Sequence, residues 1–234
     1  MAASGNRLHD PRDRDVRAGR ILDSAAELLL RYGYRRLTIE DVAEHAGVGK
    51  GTVYLHWKSR EELFRAVFER EVAGAIGEFV AALRQDEHAW KLHRMARFYF
   101  LAIVSRPLLR AEFLSDPELL GKLAHSESGG SGRRHELASN AYFELLAEHG
   151  LLRGDLSPAA IAYASLATLE GFVRAEASAE DRPVSTVAER ADLLAQTLQG
   201  AFETGLELPA ETERLVAGEA IAMFAGLGAD DAAD

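Results

Sequence analysis

Residues 47–57 read GVGKGTVYLHW, and the fold turns on how they are read. A glycine-rich stretch holding a lysine suggests a nucleotide-binding P-loop. That motif requires a glycine, four residues and then Gly-Lys-Ser/Thr, set between a buried strand and a helix. Here Gly49-Lys50 is followed by Gly51, and the register that would tolerate this needs a glycine at Glu44. The preceding TIEDVAEHA (38–46) carries Ile39, Val42, Ala43 and Ala46 on one helical face and two carboxylates in its first turn, so a helix, not a strand, leads into the loop. Spacing and context both disfavour the P-loop, leaving a nucleotide-binding enzyme the weakest reading.

A helix-turn-helix accounts for more of the residues. An amphipathic helix over 38–46, a tight turn at Gly47 and a short helix over about 50–56 have its layout. A recognition helix must approach base edges without bulk near its N-terminus, and Gly49, Lys50, Gly51 and Thr52 meet that need. Val48, Val53 and Trp57 fall on the packing side, with Tyr54, His56 and Lys58 left as polar groups towards the duplex backbone; a core position is the competing reading for Tyr54. Arg60 places a cation in the first turn of a helix, against the macrodipole at a cost of about 0.3–1 kcal/mol, which a phosphate at that site would offset.

Charge supports one-ended contact with a polyanion. The 234-residue chain has a net charge of −10, yet residues 1–60 hold 11 Lys and Arg against 8 Asp and Glu, leaving 16 against 29 for the rest. A weakly basic head on an acidic body is compatible with nucleic acid at one end. The absence of cysteine removes disulfides, thiolate nucleophiles and cysteine zinc sites, and fits a reducing, cytoplasmic setting. No apolar run is long enough to span a membrane, and MAASGNRLHDPRDRD has no secretory h-region, so a disordered lead-in is expected, matched by a disordered acidic tail at GADDAAD (228–234).

The periodicity throughout is helical, predicting an all-α fold of nine or ten helices. The first runs over about 15–32 and closes at Gly33, expected in the left-handed region. Thr38 and Asp41 form a short capping box for the second helix, and Ser59 with Glu62 a full one for a long helix to about 84. Further helices are expected over about 88–104, after Pro107 and Pro117, over 134–149, 158–177 and 185–205, and after Pro209 to about 224. HSESGGSGRR (125–134) reads as a polar linker and the candidate disordered loop.

These residues resemble a known family. The I-L-D-S-A-A of the first helix, R-Y-G-Y at its end, L-T-I-E-D-V-A, A-G-V-G-K-G-T-V-Y-L-H-W and K-S-R-E-E-L together look like the DNA-binding domain of the TetR family, over residues 14–74. Gly49 is a departure, since many members have a serine there; glycine still serves as a cap. The resemblance implies a DNA-binding domain at 14–74 and a helical ligand-binding and dimerisation domain at 75–226. It places Lys50 and Gly51 where bases are read, Thr52, Tyr54 and His56 where phosphates and the groove are met, and Lys58 and Arg60 where the backbone is clamped. Arg36 and Thr38 are further phosphate candidates. The implied protein is a transcriptional repressor, released from a palindromic operator by a small molecule and dimerising through the helices at 158–177 and 185–205.

For the effector, Met95, Tyr99, Phe113, Tyr142 and Phe143 are candidate cavity residues, with His93, Arg97 or His125 as polar anchors; plain core is the competing reading for each. No catalytic motif, cofactor or metal site is legible. His88 and His93 are five apart and face different ways, and no H-E-x-x-H or Gly-x-Ser-x-Gly occurs. A helical protein-interaction adaptor without DNA binding remains the alternative.

Overall fold

A computed structural model describes residues 11–86, 88–125, 130–178 and 186–229. Among them are eleven α-helices and no strand. In chain order these are α1 (Pro11–Tyr32), α2 (Ile39–His45), α3 (Lys50–His56), α4 (Arg60–Gln85), α5 (Leu92–Ser105), α6 (Pro107–Phe113), α7 (Pro117–Leu120), α8 (Gly130–Glu148), α9 (Pro158–Ser178), α10 (Val187–Phe202) and α11 (Ala210–Ala229). A single antiparallel bridge joins Leu152 to Glu203.

Several boundaries differ from expectation. Helix α8 begins at Gly130, inside the stretch read as a linker; residues 126–129 of that stretch lie outside the described residues. Helix α1 starts at Pro11 and α11 runs to Ala229, so both invade the expected tails, whose remaining residues 1–10 and 230–234 also lie outside. Residue 185, the expected start of α10, does too; the helix is opened by a capping box in which Thr186 and Glu189 cap one another. Helix α5 starts only at Leu92, because Asp86 accepts from the His88 N–H (2.9 Å) and holds a turn there.

The chain divides into two compact units, residues 1–71 with 115–126, and residues 72–114 with 127–234. The inclusion of 115–126 in the first unit departs from the expected split at 74, and two glycines explain it. Gly33 adopts φ 71° and ψ 159°, a region restricted to glycine and distinct from the left-handed cap expected there. A Cβ at that position would stand 2.9 Å from the carbonyl oxygen of Glu118. Gly121, at φ 55°, would in the same way bring a Cβ within 3.1 Å of the Tyr34 ring. The end of α1 and the α7 turn therefore interlock where side chains are missing. Asp116 caps α7, accepting from the Glu118 and Leu119 amides, with Pro117 in the first turn.

The first unit is closed by Ile21, Ala25 and Leu29 of α1, Val42 of α2, Val53 of α3 and Leu63, Phe64 and Val67 of α4, each at most 0 % exposed. Arg70 of α4 pairs with Asp23 of α1 at 2.7 Å, and His45 of α2 meets Glu27 of α1 at 3.1 Å.

In the second unit one cluster joins Phe79 and Leu83 of α4, Met95 of α5, Tyr142, Phe143 and Leu146 of α8, Ile161 of α9 and Val216, Ala220 and Phe224 of α11. A second packs Phe100 and Ile103 of α5 against Leu169 and Val173 of α9 and Ala191, Leu194 and Leu198 of α10. Glu176, buried near the end of α9, is paired with Arg190 of α10, fixing that helical hairpin. Among the described residues no helix is long and apolar enough to cross a membrane, and no group of three His, Cys, Asp or Glu is placed to hold a metal ion.

Candidate nucleic-acid interface

Helices α2 and α3 are joined by a turn at Gly47, whose φ of 64° requires a residue without a Cβ penalty. The Val48 amide closes it by donating to the Ala43 carbonyl at 2.9 Å. Helix α3 starts at Gly49, which caps through its backbone alone; its carbonyl accepts from the Thr52 amide at 2.8 Å. Val53 (0 % exposed) and Trp57 (8 %) anchor the helix, as their spacing predicts. Tyr54 is 44 % exposed, which removes the core reading for it, and Leu55 beside it is 76 % exposed. Gly51 is exposed, and a Cβ placed on it would meet nothing within 4 Å.

The candidate cations have different surroundings. Arg36 and Lys58 are exposed. The Lys50 ammonium is held by Glu40 of α2 and lies 5.7 Å from the Tyr54 ring centroid. That bond depresses the Glu40 carboxyl below its usual range and raises the lysine. His56, half-buried beside the Trp57 ring at 5.3 Å, is held below the ordinary imidazole value, first by burial and then by Arg14 and Arg17, with Asp15 opposing. The two arginines lie at the start of α1, within electrostatic reach of His56. The sequence reading left them out, although the alternating basic run in RDRDVRAGR (12–20) was the available signal.

Two candidates also have partners within the protein. Arg60 is part-buried at the start of α4. It donates to the Leu37 carbonyl at 2.7 Å and stacks over the Tyr34 ring at 4.0 Å, and these internal partners help to offset its unfavourable place on the macrodipole. Tyr34 itself is buried, donates to Glu61 at 3.0 Å, and meets Phe64 edge-on at 5.4 Å. Thr38 forms the expected capping box: its Oγ1 accepts from the Asp41 amide and donates to the Asp41 carboxylate at 2.7 Å, depressing that carboxyl. Those bonds tie its hydroxyl, still exposed, to the start of α2. At α4, Ser59 Oγ accepts from the Glu62 amide at 3.1 Å as expected, but the Glu62 carboxylate reaches back to the Lys58 amide, one residue earlier than a regular box.

This arrangement of α1 to α4 is matched by a family model. Residues 21–67 fit the model described as bacterial regulatory proteins, tetR family. Over that stretch the chain is similar to the TetR family. It is 37% identical over 82 residues to the HTH-type transcriptional activator FasR of Mycolicibacterium smegmatis, covering 35% of this chain and 37% of that one. It is 30% identical over 66 residues to the fatty acid metabolism regulator protein of Bacillus subtilis, covering 28% and 32%. These matches span about a third of the length of those relatives. Among solved structures, SmeT, the repressor of the multidrug efflux pump SmeDEF of Stenotrophomonas maltophilia, superposes with a TM-score of 0.60 at 20% identity, covering 82% of this chain and 94% of that one. The Bacillus subtilis FadR complex with stearoyl-CoA gives 0.52 at 16%, covering 81% and 99%. At those identities the likeness carries the fold.

The second unit holds a cavity of about 640 Å³ between α4, α5, α6, α8 and α9. Met95, Tyr99, Phe113, Tyr142 and Phe143 line it, as the sequence reading has them. The expected anchors His93 and Arg97 do not. His93 is drawn to Glu203, which accepts from both its backbone N–H (2.8 Å) and its ring (2.9 Å), and Arg97 pairs with Asp192 on α10 at 2.5 Å. The side chain of His125 lies outside the described residues. Burial pushes the Tyr99 and Tyr142 phenols well above their ordinary value, and the Tyr142 hydroxyl donates to the Trp90 carbonyl at 2.7 Å. Ser165 contributes a polar group to the lining; its Oγ is buried with no hydrogen-bond partner among the described residues.

Helix α9 turns Ile161, Leu169 and Val173 inward and leaves Tyr163 (76 %) and Leu166 (55 %) exposed beside Ala167 and Gly171. On α10, Leu193 is 46 % exposed.

Proposed function

We propose that this chain is a sequence-specific DNA-binding transcriptional regulator, a repressor that acts as a homodimer and leaves its operator when a small molecule fills the cavity of the second unit. The observation that carries the reading is the outward face of α3, where Gly51, Tyr54 and Leu55 are exposed on a helix anchored by Val53 and Trp57, with Lys58 exposed just past its end and Arg14 and Arg17 within electrostatic reach of His56. A helix so placed suits the major groove, with cations at its margins for phosphates.

In this reading Arg36, Thr52, Tyr54, His56 and Lys58 meet phosphates and the groove wall, while Gly51 lets the backbone approach base edges. Lys50 exchanges Glu40 for an acceptor on the DNA. Arg60 and Thr38 hold the frame of the motif. Exposed Tyr163, Leu166 and Leu193, with small neighbours that permit close helix approach, support pairing through α9 and α10. A dimer also presents two copies of α3 to a palindromic site, with half-sites about 34–36 Å apart or a multiple of this.

The largely apolar lining, with Glu112, Asn140 and the buried Ser165 hydroxyl among its polar groups, favours a mainly apolar effector that carries hydrogen-bonding groups. Helix α4 contributes Phe64 and Phe68 to the core of the first unit and Ile76 and Phe79 to the lining of the cavity in the second. The test is a titration of labelled duplex against salt. Log affinity should fall linearly with log salt concentration, more shallowly for Lys58→Ala. A salt-independent affinity, or none, would favour the adaptor reading.

A further inference from the structure

We propose that Leu55 is a base-reading side chain of α3, and that it reads the C5-methyl group of thymine in the major groove of duplex DNA. This deepens the regulator reading and rests on it. Successive residues on a helix are about 100° apart. Measured from inward-pointing Val53, Trp57, Lys50 and His56 fall on the inner half of α3, Thr52 and Tyr54 at its sides, and Gly51 and Leu55 diametrically opposite. Val53 at one pole is 0 % exposed and Leu55 at the other 76 %, while the long Lys50 side chain reaches solvent from the inner half. Any duplex that meets α3 head-on meets Gly51 and Leu55 first.

A lone exposed leucine is ordinary. Here, however, the largest outward side chain of the helix is apolar, and one turn before it Gly51 leaves open space on the same face. Tyr54 flanks it, and Arg14 and Arg17 stand near enough to His56, the next residue, to depress its imidazole. An apolar tip framed by cations complements a surface that is anionic overall with apolar points within it. Leucine has no donor or acceptor, so it is blind to the polar code of the groove. Among the base-pair edges displayed there, the thymine methyl is the group that offers it contact. Lys50, by contrast, starts from the inner half of the helix with its ammonium engaged by Glu40.

The experiment uses the full chain and a duplex selected by it from a random pool. Each thymine is replaced in turn by deoxyuridine, which removes the methyl and leaves base pairing intact, and affinity is measured for the unaltered protein, Leu55→Ala and Leu55→Met. At one thymine per half-site, loss of the methyl should weaken the unaltered protein about fourfold, the worth of one buried methyl group. Leu55→Ala should lose that sensitivity and Leu55→Met keep it, with unchanged melting temperatures because the side chain is exposed. Equal sensitivity to deoxyuridine in Leu55→Ala and the unaltered protein, or none in either, would overturn the assignment while leaving specific binding intact. Failure to select any duplex would overturn the regulator reading, and this inference with it.

Discussion

Gly51 has no side chain, no positive φ and open space where a Cβ would go, so nothing inside the protein requires a glycine there. Gly51→Ala should raise stability by about 0.4–1 kcal/mol, since alanine has less backbone freedom to lose on folding. If α3 approaches base edges closely, the same change should weaken operator binding at least tenfold. Denaturant unfolding and a duplex titration separate the two effects, and a variant equally stable and equally tight would remove Gly51 from the interface. His56 gives a pH signature. Its folded pKa lies below 6.5, so above that value it is neutral both folded and unfolded and contributes nothing. As pH falls below 6.5 the unfolded chain takes up the proton more readily, and stability declines until the folded pKa is passed. A DNA phosphate would favour the charged ring against the repulsion of Arg14 and Arg17. Binding should therefore take up a proton and tighten as pH falls from 7.5 to 5.5 at constant salt, and His56→Gln should flatten that slope. At this scale Val53 and Trp57 were legible from spacing, because burial on so short a helix leaves few registers. Arg60 was not, because a guanidinium that turns back onto Tyr34 and Leu37 depends on neighbours 26 and 23 positions away.

Gly33 is the hinge of a contact between elements. Its backbone conformation is restricted to glycine, and a Cβ would press on the Glu118 carbonyl, a backbone atom that cannot swing aside. Gly33→Ala should cost about 1–3 kcal/mol for the backbone alone, and more for the overlap. Thermal unfolding checks this, and a shift of less than 1 °C would contradict the interlock of α1 with the α7 turn. The R-Y-G-Y signal told where α1 ends. It did not disclose that residues 115–126 return to close the first unit, because that packing joins segments some 85 positions apart. Local signals worked where one element is sufficient: the turn at Gly47, the Thr38–Asp41 box and the proline starts of α6, α7 and α9 are all found as expected. They failed at Gly130, where composition indicated a linker and α8 is already under way.

For the whole molecule, the all-α architecture was legible from period alone, whereas helical spacing left cavity and plain core open for the five apolar residues that line the cavity. His93 and Arg97 are engaged by carboxylates on α10 and at its end, Asp192 and Glu203, a pairing that no local pattern carries. Assembly is testable in the same terms. Leu166→Glu combined with Leu193→Glu puts charges at two exposed apolar positions of α9 and α10 and should convert a dimer to a monomer in sedimentation, with little loss of helicity. An unchanged dimer would place the pairing surface elsewhere. The central claim is that α3 reads DNA as part of a symmetric pair. Selection from a random duplex pool at near-physiological salt tests it most directly: the account expects a palindromic motif whose half-sites are a whole helical turn or a multiple apart, and recovery of nothing above background, from protein freed of any bound ligand, would contradict it.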